Sequence, residues 1–165
     1  MDWNDLPGRD LEAAELRALV ERLAAGPELW RGLTVAGAGT RHFECVYRDQ
    51  HLDVWMIAWD RQSDTGWHDH DTSSGAVRVV RGRLQESTPR MGGDPVVAEV
   101  GAGSTIIFGP DHIHRLTGVE PGTVSVHAYS PALWRMGQYT ISDSGVLRRQ
   151  SVSYAEELRP LAASA

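Results

Sequence analysis

The feature that most constrains the fold is a long series of short apolar or alternating runs, which extends from residue 41 to about residue 154. Gly, Pro, Asp and Ser separate these runs, and runs bounded in this way are typical of β-strands. Ten short strands at this spacing favour an antiparallel barrel or two facing sheets over βαβ units. The predicted strands are 41–48, 52–59, 65–70, 75–87, 95–100, 104–109, 114–119, 123–130, 136–142 and 146–153.

A helical segment precedes the strands. Apolar residues recur at helical spacing in residues 10–25, where Asp10 can cap the first turn and a Gly-Pro pair ends the helix. These residues are Leu16, Leu19, Val20 and Leu23. A second helical turn is predicted in 27–33, so the helical segment covers residues 10–35. The last stretch, 154–165, is predicted to form a brief helix.

Length and composition limit the function classes. The 165 residues fit a single domain, 1–165, with any active site inside one fold. No apolar run approaches the roughly 20 residues of a membrane helix, and the acidic start does not resemble a signal peptide, so we expect a cytoplasmic protein without membrane contact. A formal charge of −6 without a basic stripe argues against nucleic acid as a partner.

The single cysteine, Cys45, excludes a disulfide framework and a thiolate-rich metal cluster. Any metal must therefore be held by His, Asp or Glu. The stretch "TGWHDHDTSSGAVRVVRG", residues 65–82, offers His68 and His70. Alternate residues of a strand share a face, so both imidazoles can occupy adjacent positions on one ion while Asp69 points away.

A second pair of histidines follows in "FGPDHIHRLTG", where His112 and His114 again share one strand face. His114 begins the apolar strand, whereas His112 lies nearer the turn, so His114 is the better third ligand. His68, His70 and His114 would form a facial set of three on one metal ion.

These two stretches resemble the two motifs of the cupins: the first runs from the Gly before His-x-His to the closing Gly82, and the second is "GPDHIH". Within the cupins, the sequence is similar to the cysteine dioxygenase family over roughly residues 40–135. The resemblance implies an all-β, single-domain cupin, a double-stranded β-helix or jelly-roll barrel spanning about 40–154. A Glu that often supplies a fourth ligand is replaced by Ser74 or Gly75, which implies a three-histidine site.

The stretch "TVSVHAYSPAL" matches a second feature of the family. Ser125, His127 and Tyr129 alternate on one face and match its Ser-His-Tyr relay, in which the tyrosine hydroxyl reaches the substrate and the histidine orients the tyrosine. A phenol can steer a developing oxygen charge by hydrogen bonding. The position of Gly75 is a cysteine crosslinked to tyrosine in animal members and commonly a glycine in bacterial ones.

The resemblance implies one Fe(II) per chain, dioxygen as co-substrate, a small-molecule thiol substrate and a monomer. In the family both oxygen atoms are transferred to sulfur, which gives a sulfinic acid, from L-cysteine to cysteine sulfinate. This oxidation supplies all four electrons that dioxygen needs, so no flavin, nicotinamide or oxoacid is expected. Zinc, manganese or nickel can also bind three histidines, and ligand type alone does not choose among them.

The substrate-binding arginine of the family is not where its pattern places it. Family members hold the substrate carboxylate with an Arg in a Tyr-x-Arg stretch. When the chains are aligned on residues 47–53, this position falls near Phe43. Arg41, two residues earlier on the same strand face, could bind the carboxylate if the register shifts, and Arg48 is the other candidate.

If Phe43 faces the pocket, it would form an aromatic wall together with Trp55 and Trp67. Such a wall suits a flat ring or a trimethylammonium group, as in an ergothioneine-like thiol-imidazole betaine. 3-Mercaptopropionate is a further candidate, because its dioxygenases also lack the usual Arg. Gly75 is included in the predicted substrate pocket, and Cys45 is expected to be a core residue.

Two functions from other classes use the same histidines. A metal-dependent cupin isomerase or hydrolase would hold zinc or manganese and need no dioxygen. A cupin sensor or storage module would bind a ligand without converting it. The relay residues favour catalysis over simple binding.

Overall fold

The computed structural model describes residues 3–35, 37, 39–141 and 147–153. A 3₁₀ turn at Trp3–Asp5, helix α1 at Ala13–Ala24 and a 3₁₀ turn at Pro27–Leu29 precede the strands. The strands are β1 Arg41–Arg48, β2 Asp53–Trp59, β3 Trp67–Asp69, β4 Ser74–Arg81, β5 Arg83–Thr88, β6 Val96–Gly101, β7 Thr105–Phe108, β8 Arg115–Gly118, β9 Thr123–Ser130, β10 Arg135–Ile141 and β11 Leu147–Ser153.

Helix α1 begins later than the sequence pattern predicts. Its N-cap is Glu12 rather than Asp10, and the Glu15 carboxylate accepts a hydrogen bond from the Glu12 backbone N–H at 2.8 Å. Asp10 instead contacts His51 Nδ1 at 2.7 Å. The predicted turn at 27–33 shortens to Pro27–Leu29, and the predicted helix at 154–165 lies outside the described residues. None of the described helices is long and apolar enough to cross a membrane.

The predicted strand 75–87 is wrong in one respect, because the chain divides it into β4 and β5 at Gly82. Gly82 has a φ of 75°, a backbone conformation that glycine adopts without strain. A Cβ atom at this position would also collide with Thr123, whose Cα would lie 2.9 Å away. The other nine predicted strands match described strands within about two residues at each end.

All strand pairs are antiparallel, and they form three hydrogen-bonded groups. The largest is a five-stranded sheet in the order β1-β2-β9-β4-β7, and the others are β11-β10-β3 and β6-β5-β8. Two isolated bridges join the two smaller groups. One connects His68 of β3 with His114, the residue before β8, and the other connects Asp64, which precedes β3, with Thr117 of β8. This arrangement brings both histidine motifs side by side.

The five-stranded sheet is buried on both faces, which explains why every residue of β9 is buried. Its outer face packs against the apolar side of α1, including Leu16 and Val20. Its inner face contributes Trp59, Val77 and other residues to a second core between the sheets. Removing apolar surface from water on both faces stabilises the sheet and holds the inward side chains of β9 rigidly.

Candidate metal centre and hydrogen-bond relay

Three buried histidines meet where the group β11-β10-β3 joins the group β6-β5-β8. His68 and His70 come from β3 and the residue after it, and His114 precedes β8; their side chains are at most 3 % exposed. The nearest nitrogen atoms of the three imidazoles all lie within 4.8 Å of one another. The predicted ligand set is therefore together in space.

The hydrogen bonds of these rings indicate which nitrogens could bind an ion. His68 Nδ1 lies 3.1 Å from the Gly66 carbonyl, and His114 Nδ1 lies 2.8 Å from Glu86 Oε1. His114 Nε2 and both ring nitrogens of His70 are buried without a hydrogen-bond partner in the described residues. Buried polar atoms are normally paired. A metal ion bound by the Nε2 atoms would satisfy His114 and one nitrogen of His70, so the residues fit a metal.

Burial keeps the imidazoles of His114 and His70 neutral. It lowers the pKa of His114 to about 4, although Glu86 acts in the opposite direction, and it lowers the pKa of His70 well below the usual value. Neutral imidazole is the form that ligates metals. Three neutral ligands would leave the full charge of a divalent ion in place, which favours binding of an anionic thiolate.

Glu86 of β5 is a site residue that sequence reasoning missed. Its Oε1 atom contacts both His114 Nδ1 and His112 Nε2, the latter at 3.1 Å. Burial raises the pKa of Glu86, but hydrogen bonds from the two histidines outweigh it and lower the pKa to about 2. The ionised carboxylate fixes the tautomer and orientation of His114. The possible ligand atoms of Glu86, His112 and His114 also lie within 4.8 Å of one another, as in a metal site, but the hydrogen bonds between these residues already explain that proximity.

The relay residues of β9 form a continuous hydrogen-bonded chain. His127 Nδ1 lies 3.0 Å from Tyr129 Oη, and His127 Nε2 lies 2.8 Å from Ser125 Oγ. The chain continues to Trp59 of β2, whose indole N–H donates to Ser125 Oγ at 2.8 Å. The Tyr129 ring stacks on His70 with centroids 5.2 Å apart, so the relay ends at the histidine cluster.

A comparison with known families agrees with this arrangement. The model of the family "Cysteine dioxygenase type I" matches residues 6–142. The chain belongs to this family. Membership agrees with the three-histidine group and indicates a cupin thiol dioxygenase.

Solved structures support the fold of this family member. KdgF from Halomonas sp. is 16 % identical with a TM-score of 0.50, and the match covers 62 % of this chain and 90 % of that one. A protein with a double-stranded β-helix domain from Klebsiella pneumoniae is 12 % identical with a TM-score of 0.51, covering 87 % and 97 %. The conserved SPY1581 protein of Streptococcus pyogenes is 15 % identical with a TM-score of 0.51, covering 60 % and 81 %. At these identities the likeness confirms the cupin fold alone.

Gly75 lies directly beside the relay of this cysteine dioxygenase family member, opposite Tyr129 in the sheet. A Cβ atom at this position would collide with the Phe108 ring and would lie 3.1 Å from Tyr129 Cδ1. The Phe108 ring also stacks on His70, with centroids 4.4 Å apart. Gly75 therefore makes room for Phe108. Its place in the substrate pocket stays a prediction.

Asp69 is turned away from the metal group, as predicted, and it is buried. It accepts hydrogen bonds from Tyr139 Oη at 2.6 Å, from the Gly137 N–H at 3.0 Å and from Arg149 Nε at 2.7 Å. Although burial raises the pKa of Asp69, these hydrogen bonds hold it well below its usual range. Asp69 thus ties the short strand β3, which carries the ligands, to β10 and β11.

The two candidate arginines differ in their partners. Arg48 contacts the fully buried Asp53 at 2.6 Å and the Leu133 carbonyl at 2.9 Å, so its charge is already matched. Arg41 lies over the Trp59 ring, 5.5 Å from its centroid. Among the described residues, no carboxylate lies within ion-pair distance of Arg41. Its charge also helps to lower the pKa of His127, after the larger effects of burial and His114.

The predicted aromatic wall forms only in part. Phe43 and Trp55 meet edge to face with centroids 6.1 Å apart, and Trp55 lies opposite His127 on the inward face. Trp67, in contrast, shares with Asp69 the face of β3 that points away from His68. The prediction for Cys45 was wrong: it lies on the inward side of an edge strand and is exposed, with Sγ 3.8 Å from Asp53 Oδ1.

Proposed function

We propose that this chain is an Fe(II)-dependent thiol dioxygenase that converts a small-molecule thiol carrying a carboxylate, such as L-cysteine, into its sulfinic acid. The observation that carries the proposal is the contact between two units: a buried three-histidine group and a Trp-Ser-His-Tyr relay that ends against it. Simple ligand storage would not need the second unit.

Iron(II) held by His68, His70 and His114 would supply the redox chemistry by which dioxygen oxidises a thiol sulfur. The overall reaction is balanced, because the sulfur loses four electrons and both oxygen atoms remain in the sulfinic acid. No further reductant enters.

The residues of the chain would bind and orient the substrate. Tyr129 lies beside His70, where its hydroxyl can hydrogen bond to a substrate that reaches the ion. Of the two candidate arginines, Arg41 is the one without a described carboxylate at ion-pair distance, and it lies on the inward face in register with Trp59. These features support Arg41, rather than Arg48, as the residue that binds a substrate carboxylate.

The test is oxygen consumption by the iron-loaded protein with cysteine, 3-mercaptopropionate, cysteamine and ergothioneine, followed by the product mass with labelled dioxygen. We expect uptake with cysteine or 3-mercaptopropionate, the small carboxylate-bearing thiols, and the gain of two labelled oxygen atoms. Absence of uptake with all four thiols, in protein that holds stoichiometric iron, would overturn the proposal in favour of an isomerase, a hydrolase or a sensor.

Arg41→Gln tests the carboxylate assignment, and Arg61→Gln is the matched control because Arg61 is an exposed arginine on the neighbouring loop. Loss of a charge-assisted hydrogen bond is expected to lower kcat/KM for carboxylate thiols about 10- to 100-fold, with little effect on cysteamine. Equal losses for all thiols would contradict this role.

A second substrate class has one observation in its favour, the edge-to-face contact of Phe43 with Trp55. An aromatic corner suits a thiol-imidazole betaine, which carries a trimethylammonium group. Oxygen uptake with ergothioneine but not with cysteine would select this class. Phe43→Leu would then be expected to reduce oxygen uptake with ergothioneine.

A further inference from the structure

The relay begins with a residue that can only donate. The Trp59 indole N–H has no acceptor function, so its 2.8 Å contact with Ser125 Oγ runs in one direction. Trp59 and Ser125 are both fully buried. The first bond of the chain therefore has a fixed polarity.

This polarity determines the next bond. Within the described residues, Ser125 Oγ has two hydrogen-bond contacts, Trp59 Nε1 and His127 Nε2, the second at 2.8 Å. Since Trp59 cannot accept a hydrogen bond, the Ser125 hydroxyl must donate its hydrogen to His127 Nε2, its other partner. The reverse arrangement would bury this hydrogen without an acceptor, which is unfavourable.

The proton of His127 follows from the same reasoning. Burial lowers the pKa of His127 to about 3, so the ring is neutral and carries a single N–H. If Nε2 accepts from Ser125, the hydrogen is on Nδ1, which lies 3.0 Å from Tyr129 Oη. His127 then donates to Tyr129, and the phenol hydrogen is directed away from His127.

We propose that Trp59 is a positioning residue that sets the direction of the relay, so that His127 is protonated at Nδ1 and Tyr129 acts toward the histidine cluster as a hydrogen-bond donor. The consequence for Tyr129 rests on the proposed function. The tautomer of His127 does not, because it is a property of the resting protein.

The test is the tautomer of His127 in the zinc-loaded full chain, read from long-range ¹H–¹⁵N NMR correlations of the ring nitrogens. We expect the Nδ1–H form to exceed the Nε2–H form by at least about tenfold. In Trp59→Phe, either orientation leaves the Ser125 hydroxyl with one unmet function, so the ratio is expected to fall toward about one. Ser125→Ala, which removes the donor to Nε2, should shift the ratio in the same direction.

Trp55→Phe is the matched control. Trp55 lies on the same strand and inward face, opposite His127, whereas the indole N–H that donates to Ser125 Oγ is that of Trp59. The control should keep the wild-type tautomer. A wild-type ring protonated at Nε2 would overturn the proposal, and so would a Trp59→Phe ratio equal to that of Trp55→Phe.

Steady-state kinetics provide a second readout. Trp59→Phe keeps an aromatic ring beneath Arg41, so we expect kcat to fall about tenfold with KM little changed. If the protein oxidises no thiol, the NMR result still decides the direction of the relay, so this proposal and the proposed function fail separately.

Discussion

Replacement of Glu86 tests the link between a buried carboxylate and the metal group. Glu86 accepts a hydrogen bond from His114 Nδ1 at 2.8 Å, and its side chain is 14 % exposed. A hydrogen bond to a charged group contributes about 1.5–3 kcal/mol, and about 1.4 kcal/mol changes an equilibrium constant tenfold. Residues that orient metal ligands typically change metal affinity about 10- to 100-fold.

We therefore expect Glu86→Gln, which keeps an acceptor oxygen but loses the charge, to weaken zinc binding about tenfold. Glu86→Ala should weaken it about 100-fold, because His114 then loses its orienting partner. The assay is competition with a chromophoric chelator, and far-UV circular dichroism with thermal unfolding shows whether each variant is folded.

His112→Ala is the matched control, since it removes the other donor to the same carboxylate oxygen and leaves the His114 contact in place. We expect its zinc affinity to stay within about threefold of wild type. Unchanged affinity in a folded Glu86→Ala variant would refute the orienting role of the carboxylate. Equal losses in His112→Ala and Glu86→Ala would show that the effect does not pass through His114.

Three further predictions concern packing, ion pairs and pH. Gly75→Ala should destabilise the protein by about 1–3 kcal/mol through overlap with Phe108, and Phe108→Leu in the same chain should restore part of this loss in urea unfolding. Asp69→Asn should lower the free energy of unfolding by about 2 kcal/mol and also weaken zinc binding, because it loosens β3, which carries His68 and leads directly into His70; a variant with native zinc affinity would contradict this. Burial raises the pKa of Asp64, but hydrogen bonds from Arg115 and the Gly66 N–H outweigh it and lower the pKa, so its stabilising effect is present above about pH 4 and lost as the pH falls further. Asp64→Asn should therefore be less stable than wild type at pH 7, and its stability should depend less on pH between pH 5 and pH 2, as measured by urea unfolding across that range.

Much of the site could be predicted from the sequence, because several of its residues lie close together within single strands. His68 and His70, like Ser125, His127 and Tyr129, alternate within single stretches, and a period of two places such residues on one face. The choice of His114 over His112 also agrees with the structure, since His114 is the one of the two in the group with His68 and His70. These are the parts of the site for which neighbours in sequence are neighbours in space.

The residues that support the site gave no such signal. Trp59 lies 66 positions from Ser125 and Glu86 lies 28 from His114, and Phe108 is also far along the chain from His70 and Gly75, so the pairing of strands brings these residues together. Arg41 and Arg48 are both arginines of β1 as far as the sequence shows. Their difference arises because a β-bulge between Cys45 and Tyr47 changes the register and places Arg48 beside Asp53.

The sequence by itself determined the strands along the chain and the outer helix, because hydrophobic period and turn residues act over a few positions. The alternation of histidines indicated the metal group, and the relay was identified by its resemblance to the family motif. Tertiary structure alone decided which carboxylate orients His114, which ring fills the space above Gly75 and which of the two β1 arginines forms an ion pair with a buried aspartate. These outcomes depend on strand register and on burial, and both are set by contacts between residues far apart in the chain.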